Sequence, residues 1–180
     1  MDARIATLTR EGCGIRSTGR VLGISPTTVI ARIKRIAARL GPGPIPKGRS
    51  YEVDELSTFV GHKQNRIWVA YAMDRRSKAV VSFRVGKRSK RMLQPLLDTL
   101  LGSEAKRIHT DGCEIYSALL PPNIHRMKRF ATNGIERMNL TLRTRLKRLS
   151  RRSICYSKSV AMLAACVAIV CWAEIMPYPR

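Results

Sequence analysis

Acidic residues are scarce in this chain: 12 Asp and Glu stand against 34 Lys and Arg over 180 residues, a formal net charge of +22. So little negative charge argues against a cationic partner and for a polyanion, nucleic acid first. Ribosomal-type and DNA-packaging proteins share that balance, so charge names the class of partner and not the chemistry. Cysteine is sparse and unpatterned. Cys13, Cys113, Cys155, Cys166 and Cys171 are odd in number and never spaced as CxxC, which argues against a disulfide framework and a zinc knuckle and for reduced thiols. Cys155, Cys166 and Cys171 read as small buried residues. The opening Met-Asp-Ala-Arg has no apolar core of a signal peptide, so the expectation is a cytoplasmic protein. Long hydrophobic runs are lacking except at 160–176, where only Glu174 interrupts; this length is at the short limit for a membrane span and reads as a buried helix, with no membrane partner.

Residues 3–40 carry apolar positions at helical spacing, interrupted by glycines. Gly12 and Gly14 end a first helix, Ile15 to Leu22 supply a second, and Gly23 turns into Ser25-Pro26, an N-cap followed by proline at the first helical position. A third helix then runs from Thr27 to about Leu40. Val29, Ile33, Ile36 and Leu40 form its buried stripe, leaving Thr27, Thr28, Arg32, Lys34, Arg35 and Arg39 for solvent or DNA. That pattern fits a helix-turn-helix whose last helix enters the major groove. An ordinary three-helix bundle with a basic face has the same pattern. The Pro/Gly stretch at 42–50 cannot continue a helix and reads as a linker. The expected division is therefore a DNA-binding unit over 1–41, the linker, and a larger domain over 51–180.

Beyond the linker the texture becomes β. Tyr51 to Leu56, Arg66 to Met73 and Ala79 to Val85 are short β-prone runs, the last two joined by a hairpin at 74–78. An amphipathic helix from Ser89 to Leu101 follows, then a strand from Lys106 to Thr110, a short helix from Ile115 to Leu119, and a fifth strand from Ile124 to Phe130. From Ile135 onward the chain reads as helical throughout. Three antiparallel strands followed by strands separated by helices is the order of a ribonuclease H-like α/β domain, a mixed sheet with flanking helices.

With acids so few, each position is informative. Asp54 lies mid-strand in Tyr-Glu-Val-Asp-Glu-Leu, and Asp111 closes a strand in Ile-His-Thr-Asp-Gly. Glu136 is the only acid between Asn123 and Ser159, in the first turn of a helix amid ten Lys and Arg between Arg126 and Arg152. A charge inside a strand needs a partner or an ion. Three carboxylates of this kind suit Mg²⁺ or Mn²⁺, and two such ions about 3.5–4 Å apart serve phosphoryl transfer. Each acid also has a plain structural role open to it: Asp54 facing solvent, Asp111 opening a turn with Gly112, Glu136 favouring a helix N-terminus. Glu55 points away from Asp54 by strand alternation, Asp74 suits a hairpin turn, and His109 is at most a neighbour of the site. Trp68 and Tyr71 read as packing residues.

The stretch from Val53 to about Val160 resembles the catalytic domain of the insertion-sequence-one transposases of bacteria and archaea. The resemblance rests on Asp54-Glu55, on Tyr71-Ala72-Met73-Asp74-Arg75 after Trp68, on Thr110-Asp111-Gly112, on the run Ile135-Glu136-Arg137-Met138-Asn139-Leu140-Thr141-Leu142-Arg143, and on Ser157-Lys158-Ser159-Val160. It implies that Asp54, Asp111 and Glu136 are an Asp-Asp-Glu triad holding two Mg²⁺ or Mn²⁺ ions, with Arg143 as an associated basic residue. The 25 positions from Asp111 to Glu136 suit that family. It further implies a nucleoid-associated prokaryotic enzyme that binds terminal inverted repeats, cuts them and joins them to target DNA, assembling as a homo-oligomer on DNA. Arg137 and Arg145 join the residues of the third helix as candidate DNA contacts. Family members commonly begin with a cysteine-rich zinc-binding element, whereas residues 1–41 hold only Cys13. The competing readings are a shortened, non-catalytic repressor that occupies the terminal repeats, and a nuclease that hydrolyses without joining.

Overall fold

A computed structural model describes residues 1–127, 133–150 and 155–173. Five strands form one sheet: β1 (Ser50–Phe59), β2 (Arg66–Asp74), β3 (Val80–Gly86), β4 (Arg107–Thr110) and β5 (His125–Met127). Their order is β3-β2-β1-β4-β5; the first three are antiparallel, while β4 and β5 run parallel to β1. That order and those directions are the ribonuclease H-like arrangement, so the expected mixed sheet with flanking helices is what the chain builds. β1 is longer than its apolar run indicates because pairing with β2 continues to Phe59↔Arg66. Of the fifth strand, residues 128–130 lie outside the described residues.

Alternation along β1 divides the interior in two. One face carries Leu56, Val69, Tyr71 and Met73 and is covered by α6 (Asn133–Arg145) and α7 (Val160–Trp172). The other carries Tyr51, Val53, Ala70 and Ala72 and is covered by α4 (Lys90–Gly102) and α5 (Glu114–Leu119). α4 forms because Ser89 accepts from the Met92 N–H at 3.2 Å as its N-cap, and because Leu93, Leu96, Leu97 and Leu100 recur on one buried face. α7 has no polar face: Leu163, Cys166, Val167 and Ile169 are all buried, because the sheet lies on one side and the N-terminal helices on the other. Among the described residues no helix is long and apolar enough to cross a membrane.

The N-terminal helices are α1 (Asp2–Arg10), α2 (Ile15–Leu22) and α3 (Pro26–Ala38). Gly23, at φ 65°, makes the left-handed turn between α2 and α3, and Ser25 caps α3 through the Thr28 N–H at 3.1 Å. Ile5, Val29 and Ile33 share one core with α7, and Arg10 donates to the Ala173 carbonyl.

Two expectations need correction. Helix does not continue from Ile135 onward: α6 stops at Arg145, and a single 3-10 turn, Lys147–Leu149, follows. Leu146 and Leu149 are both buried, a spacing the tighter turn satisfies, and Ser157 then bridges Val60 in parallel, so this segment makes its hydrogen bonds to the sheet. Ser159 caps the new helix. Cys155 is exposed rather than buried, since it precedes that bridge outside any helix; Cys166 is buried as expected and Cys171 half-buried.

Candidate active site

The β1–β4 register runs Ser50↔Arg107, Tyr51↔Ile108, Glu52↔His109; carried two positions further, it sets Asp54 beside Asp111 at the carboxyl end of the parallel pair. Asp54 is the more enclosed of the two. Its Oδ2 accepts from the Asn139 side-chain amide of α6 at 2.6 Å, and its Oδ1 accepts from the Glu55 N–H at 2.7 Å. Burial pushes its carboxyl above the ordinary carboxylate range, and nearby Asp111 and Glu136 push it further, against the two amide donors. All three candidate acids therefore share one electrostatic field. Among the described residues no cation is paired with Asp54.

Asp111 is exposed just past β4 and accepts from the Cys113 N–H at 3.1 Å, so it also forms the turn that its sequence permits. Glu136 lies in the first turn of α6, with its side chain at the surface. Among the described residues no three His, Cys, Asp or Glu side chains are gathered closely enough to hold a metal ion as a set. The donor chemistry nevertheless fits a hard divalent cation: carboxylate oxygens only, one carboxyl half-buried and raised first by that burial and then by its acidic neighbours, whose repulsion such a cation relieves.

Arg143 reaches the same region. It is half-buried, its Nε is enclosed without a hydrogen-bond partner among the described residues, and its charge acts on Tyr71. Arg137 is exposed, while Arg145 turns toward the N-terminal helices, where its carbonyl lies against Gly12 and its charge acts on Arg10. On α3, Thr27, Thr28, Lys34 and Arg35 are exposed and Arg32 is half-buried, and Arg39, just past the helix, is exposed. Arg32 and Arg35 both pair with Asp2, at 2.6 and 3.1 Å. Two of the six candidate residues are therefore held in ion pairs, and all six are remote from the acids in sequence.

One further residue borders this region through its side chain, and the others singled out in the sequence lie around it or away from it. Tyr71 packs in the core as expected, and in addition its hydroxyl is 2.8 Å from Asn139 Oδ1 and 3.0 Å from the Ile135 carbonyl. Glu55 does point away from Asp54, to the α5 side, where it accepts from the Tyr116 hydroxyl at 2.9 Å and pairs with Arg88 at 2.7 Å. Arg88 also lies 4.8 Å over the Trp68 ring. Trp68 borders an open cavity of about 460 Å³ that includes Thr58, Lys63, Arg66 and Ser150. Asp74 accepts from Ser77 and from the Arg76 N–H within its hairpin, as expected. His109 contacts Arg75 at 3.0 Å.

The family model described as IS1 transposase matches residues 50–175, more than two thirds of the chain and every element of the sheet. The chain belongs to the IS1 transposase family. Curated relatives agree. "Insertion element iso-IS1n protein InsB" of Shigella dysenteriae is 37% identical over 109 residues, 61% of this chain and 83% of the relative. "Insertion element IS1 protein InsB" of Shigella flexneri is 39% identical over 111 residues, 62% of this chain and 85% of the relative. Against "Insertion element IS1 4 protein InsB" of Escherichia coli (strain K12), 38% identical, the alignment spans 62% of this chain and 66% of the relative. Among solved structures, the simian T-cell lymphotropic virus intasome in complex with PP2A regulatory subunit B56 gamma aligns at 18% identity with a TM-score of 0.46, over 94% of this chain and 67% of that chain. The fold assignment of this IS1-family chain rests on its own strand order.

Proposed function

We propose that this protein is a DNA transposase that cuts at the ends of an insertion sequence and joins those ends to target DNA. Asp54, Asp111 and Glu136 are the residues that would hold Mg²⁺ or Mn²⁺. The observation that carries the reading is the Asp54 carboxyl, half-buried in the field of two further acids, with amide donors but no cation beside it among the described residues. A structural carboxylate would be expected to have a cationic partner there. In the reaction, water attacks a phosphodiester and leaves a 3′-hydroxyl. That hydroxyl then attacks a target phosphodiester, so one bond forms as one breaks and no external energy source is needed. Two bound divalent ions would supply activation of the attacking oxygen and stabilisation of the leaving one. The chain's own contribution is placement: Asn139 orients Asp54, α6 carries Glu136, and Arg143 and Arg137 bring positive charge to the phosphate backbone.

Residues 1–41 act in this reading as a helix-turn-helix for the terminal repeats, with Thr27, Thr28, Arg32, Lys34, Arg35 and Arg39 toward DNA and 42–50 as the connection to the catalytic unit. Two ends must be held together for joining, so the active form is a homo-oligomer on DNA, working in the cytoplasm at the nucleoid. The test uses the purified chain and the element's own end sequence with Mg²⁺ or Mn²⁺. Joined product from the wild type and none from Asp111→Asn is the expected result. Sequence-specific binding with no cutting by the wild type would instead establish a repressor, and cutting with no joined product a nuclease.

A further inference from the structure

Two residues before Asp54, on the same face of β1, lies Glu52, whose side chain is 1% exposed. Its Oε1 accepts from Arg75 Nε at 2.9 Å, and its Oε2 accepts from the Ile135 N–H, also at 2.9 Å. Ile135 is the third residue of α6, where a helix leaves backbone donors without an internal partner. Glu52 thus caps a helix to which it is not connected in sequence, and its negative charge suits that end of the helix. The other side of the same residue is held too: the Ile135 carbonyl and Asn139 Oδ1 share the Tyr71 hydroxyl proton. The next residue is Glu136.

Gly134 is what lets the helix come so close. A Cβ there would stand 3.2 Å from Glu52 Oε2 and 2.8 Å from Lys78 Nζ. Arg75 in turn contacts His109 on β4, the strand that Asp111 immediately follows. One line of polar contacts therefore ties together β1, which carries Asp54, α6, which carries Glu136, and β4, which leads directly into Asp111. Stability alone does not call for such a device, because a buried ion pair is often matched or bettered by well-packed apolar residues. An apolar side chain could not fix the Ile135 N–H.

We propose that Glu52 is a positioning residue of the strand-transfer centre: by pinning the main chain of α6 at Ile135, it sets where Glu136 stands relative to Asp54 and Asp111. This role rests on the transposase reading above. The experiment uses the full chain as wild type, Glu52→Ala and Glu52→Gln. Three quantities are read: hydrogen exchange at the Ile135 amide, Mn²⁺ affinity of the DNA-free protein by water-proton relaxation, and the Mn²⁺ concentration giving half-maximal joining. In Glu52→Ala, exchange at Ile135 quickens at least tenfold. Mn²⁺ affinity and joining each fall about 10–100-fold, the usual effect of losing a residue that orients a metal ligand, while KM for DNA stays within about twofold. Glu52→Gln keeps an oxygen for the Ile135 N–H and recovers most of the exchange protection and most of the Mn²⁺ affinity.

If Glu52→Ala does not fold, Gly134→Ala puts a methyl group between Glu52 and the helix and is expected to weaken Mn²⁺ affinity by a similar factor. Protection at Ile135 unchanged in Glu52→Ala overturns the proposal. So does faster exchange with Mn²⁺ affinity and half-saturation unchanged, which would make Glu52 a structural cap only. Absence of any Mn²⁺-dependent joining by the wild type overturns the functional reading itself and this role with it. A wild type that joins beside a Glu52→Ala that behaves like it removes only the role of Glu52.

Discussion

Asp54 and Glu55 are adjacent carboxylates on one strand, and their surroundings differ as completely as the two faces of the sheet. Burial raises both above the ordinary carboxylate range. Glu55, on the α5 side, has a cation and a phenol committed to it, Arg88 at 2.7 Å and Tyr116 at 2.9 Å. Asp54, on the α6 side, has an amide from Asn139 and the field of two more acids. Alternation along the strand separates the two roles by a single residue: one carboxylate is satisfied by the protein, while the other is left needing positive charge. A carboxylate whose charge is already paired would leave an unpaired partner if removed, whereas in the proposed reading the unpaired one is open to a metal ion.

Neutral isosteres break this comparison most directly. Asp54→Asn should lower strand joining by about a thousandfold, the upper end for losing one electrostatic contact of a preorganised site, with the Tm little changed. Glu55→Gln should do the reverse. It leaves Arg88 without its charge partner and costs about 1–3 kcal/mol, or a Tm lower by about 4–8 °C near the middle of that range, with joining per folded molecule within about tenfold of wild type. Joining rates and thermal melts on the two variants decide it. Equal losses of activity would place both acids in the reacting centre.

The second prediction concerns pH and metal. Because the Asp54 carboxyl is raised on folding, the folded protein favours its protonated form. That contribution is present below the unfolded value of about 3.9 and is lost as pH rises through the higher folded value. A divalent cation binds the ionised form, so the thermal gain from Mn²⁺ should be smallest at acid pH, below the raised folded value, and grow toward neutral pH. At a hundredfold excess over Kd the gain is about 2.7 kcal/mol, or about 5–10 °C for a chain of this size. Melting curves with and without Mn²⁺ measure it. A gain independent of pH, or one retained in Asp54→Asn, would place the cation elsewhere.

How much of this was legible in the sequence follows from how local each signal is. The strands of the β1–β2–β3 meander showed in their alternation and turns, and Asp54, Asp111 and Glu136 stood out because acids are so few. Strand parity also placed Glu55 opposite Asp54. What parity could not supply was a partner: Glu52 shares the face of Asp54 by the same alternation, but its bond to Ile135 joins residues 83 positions apart. The Tyr71–Asn139 contact spans 68 positions. Either becomes predictable only once α6 is known to cross β1. The end of α6 was hidden for the same reason, because the residues after Arg145 have no strong helix breaker and the Val60–Ser157 bridge that turns the chain is tertiary.

The smallest effect lies in the N-terminal helices, where the contrast between a satisfied and an available charge recurs with the signs reversed. Arg32 and Arg35 of α3, expected to face DNA, are paired with Asp2, and these partners, Arg32 first, hold the Asp2 carboxyl below its ordinary range. Lys34 on the same helix and Arg39 just past its end have no such pairing among the described residues. Asp2→Asn frees two guanidinium groups and removes one negative charge from the helix surface. Affinity for the element's end should rise about threefold at low salt, and the gain should fade as ionic strength shortens the screening length. A salt titration of binding, wild type against Asp2→Asn, reads this directly. A fall in affinity would mean that Asp2 orients the two arginines toward DNA, in the way that Asn139 orients Asp54; a rise means that the carboxylate competes with phosphate for them.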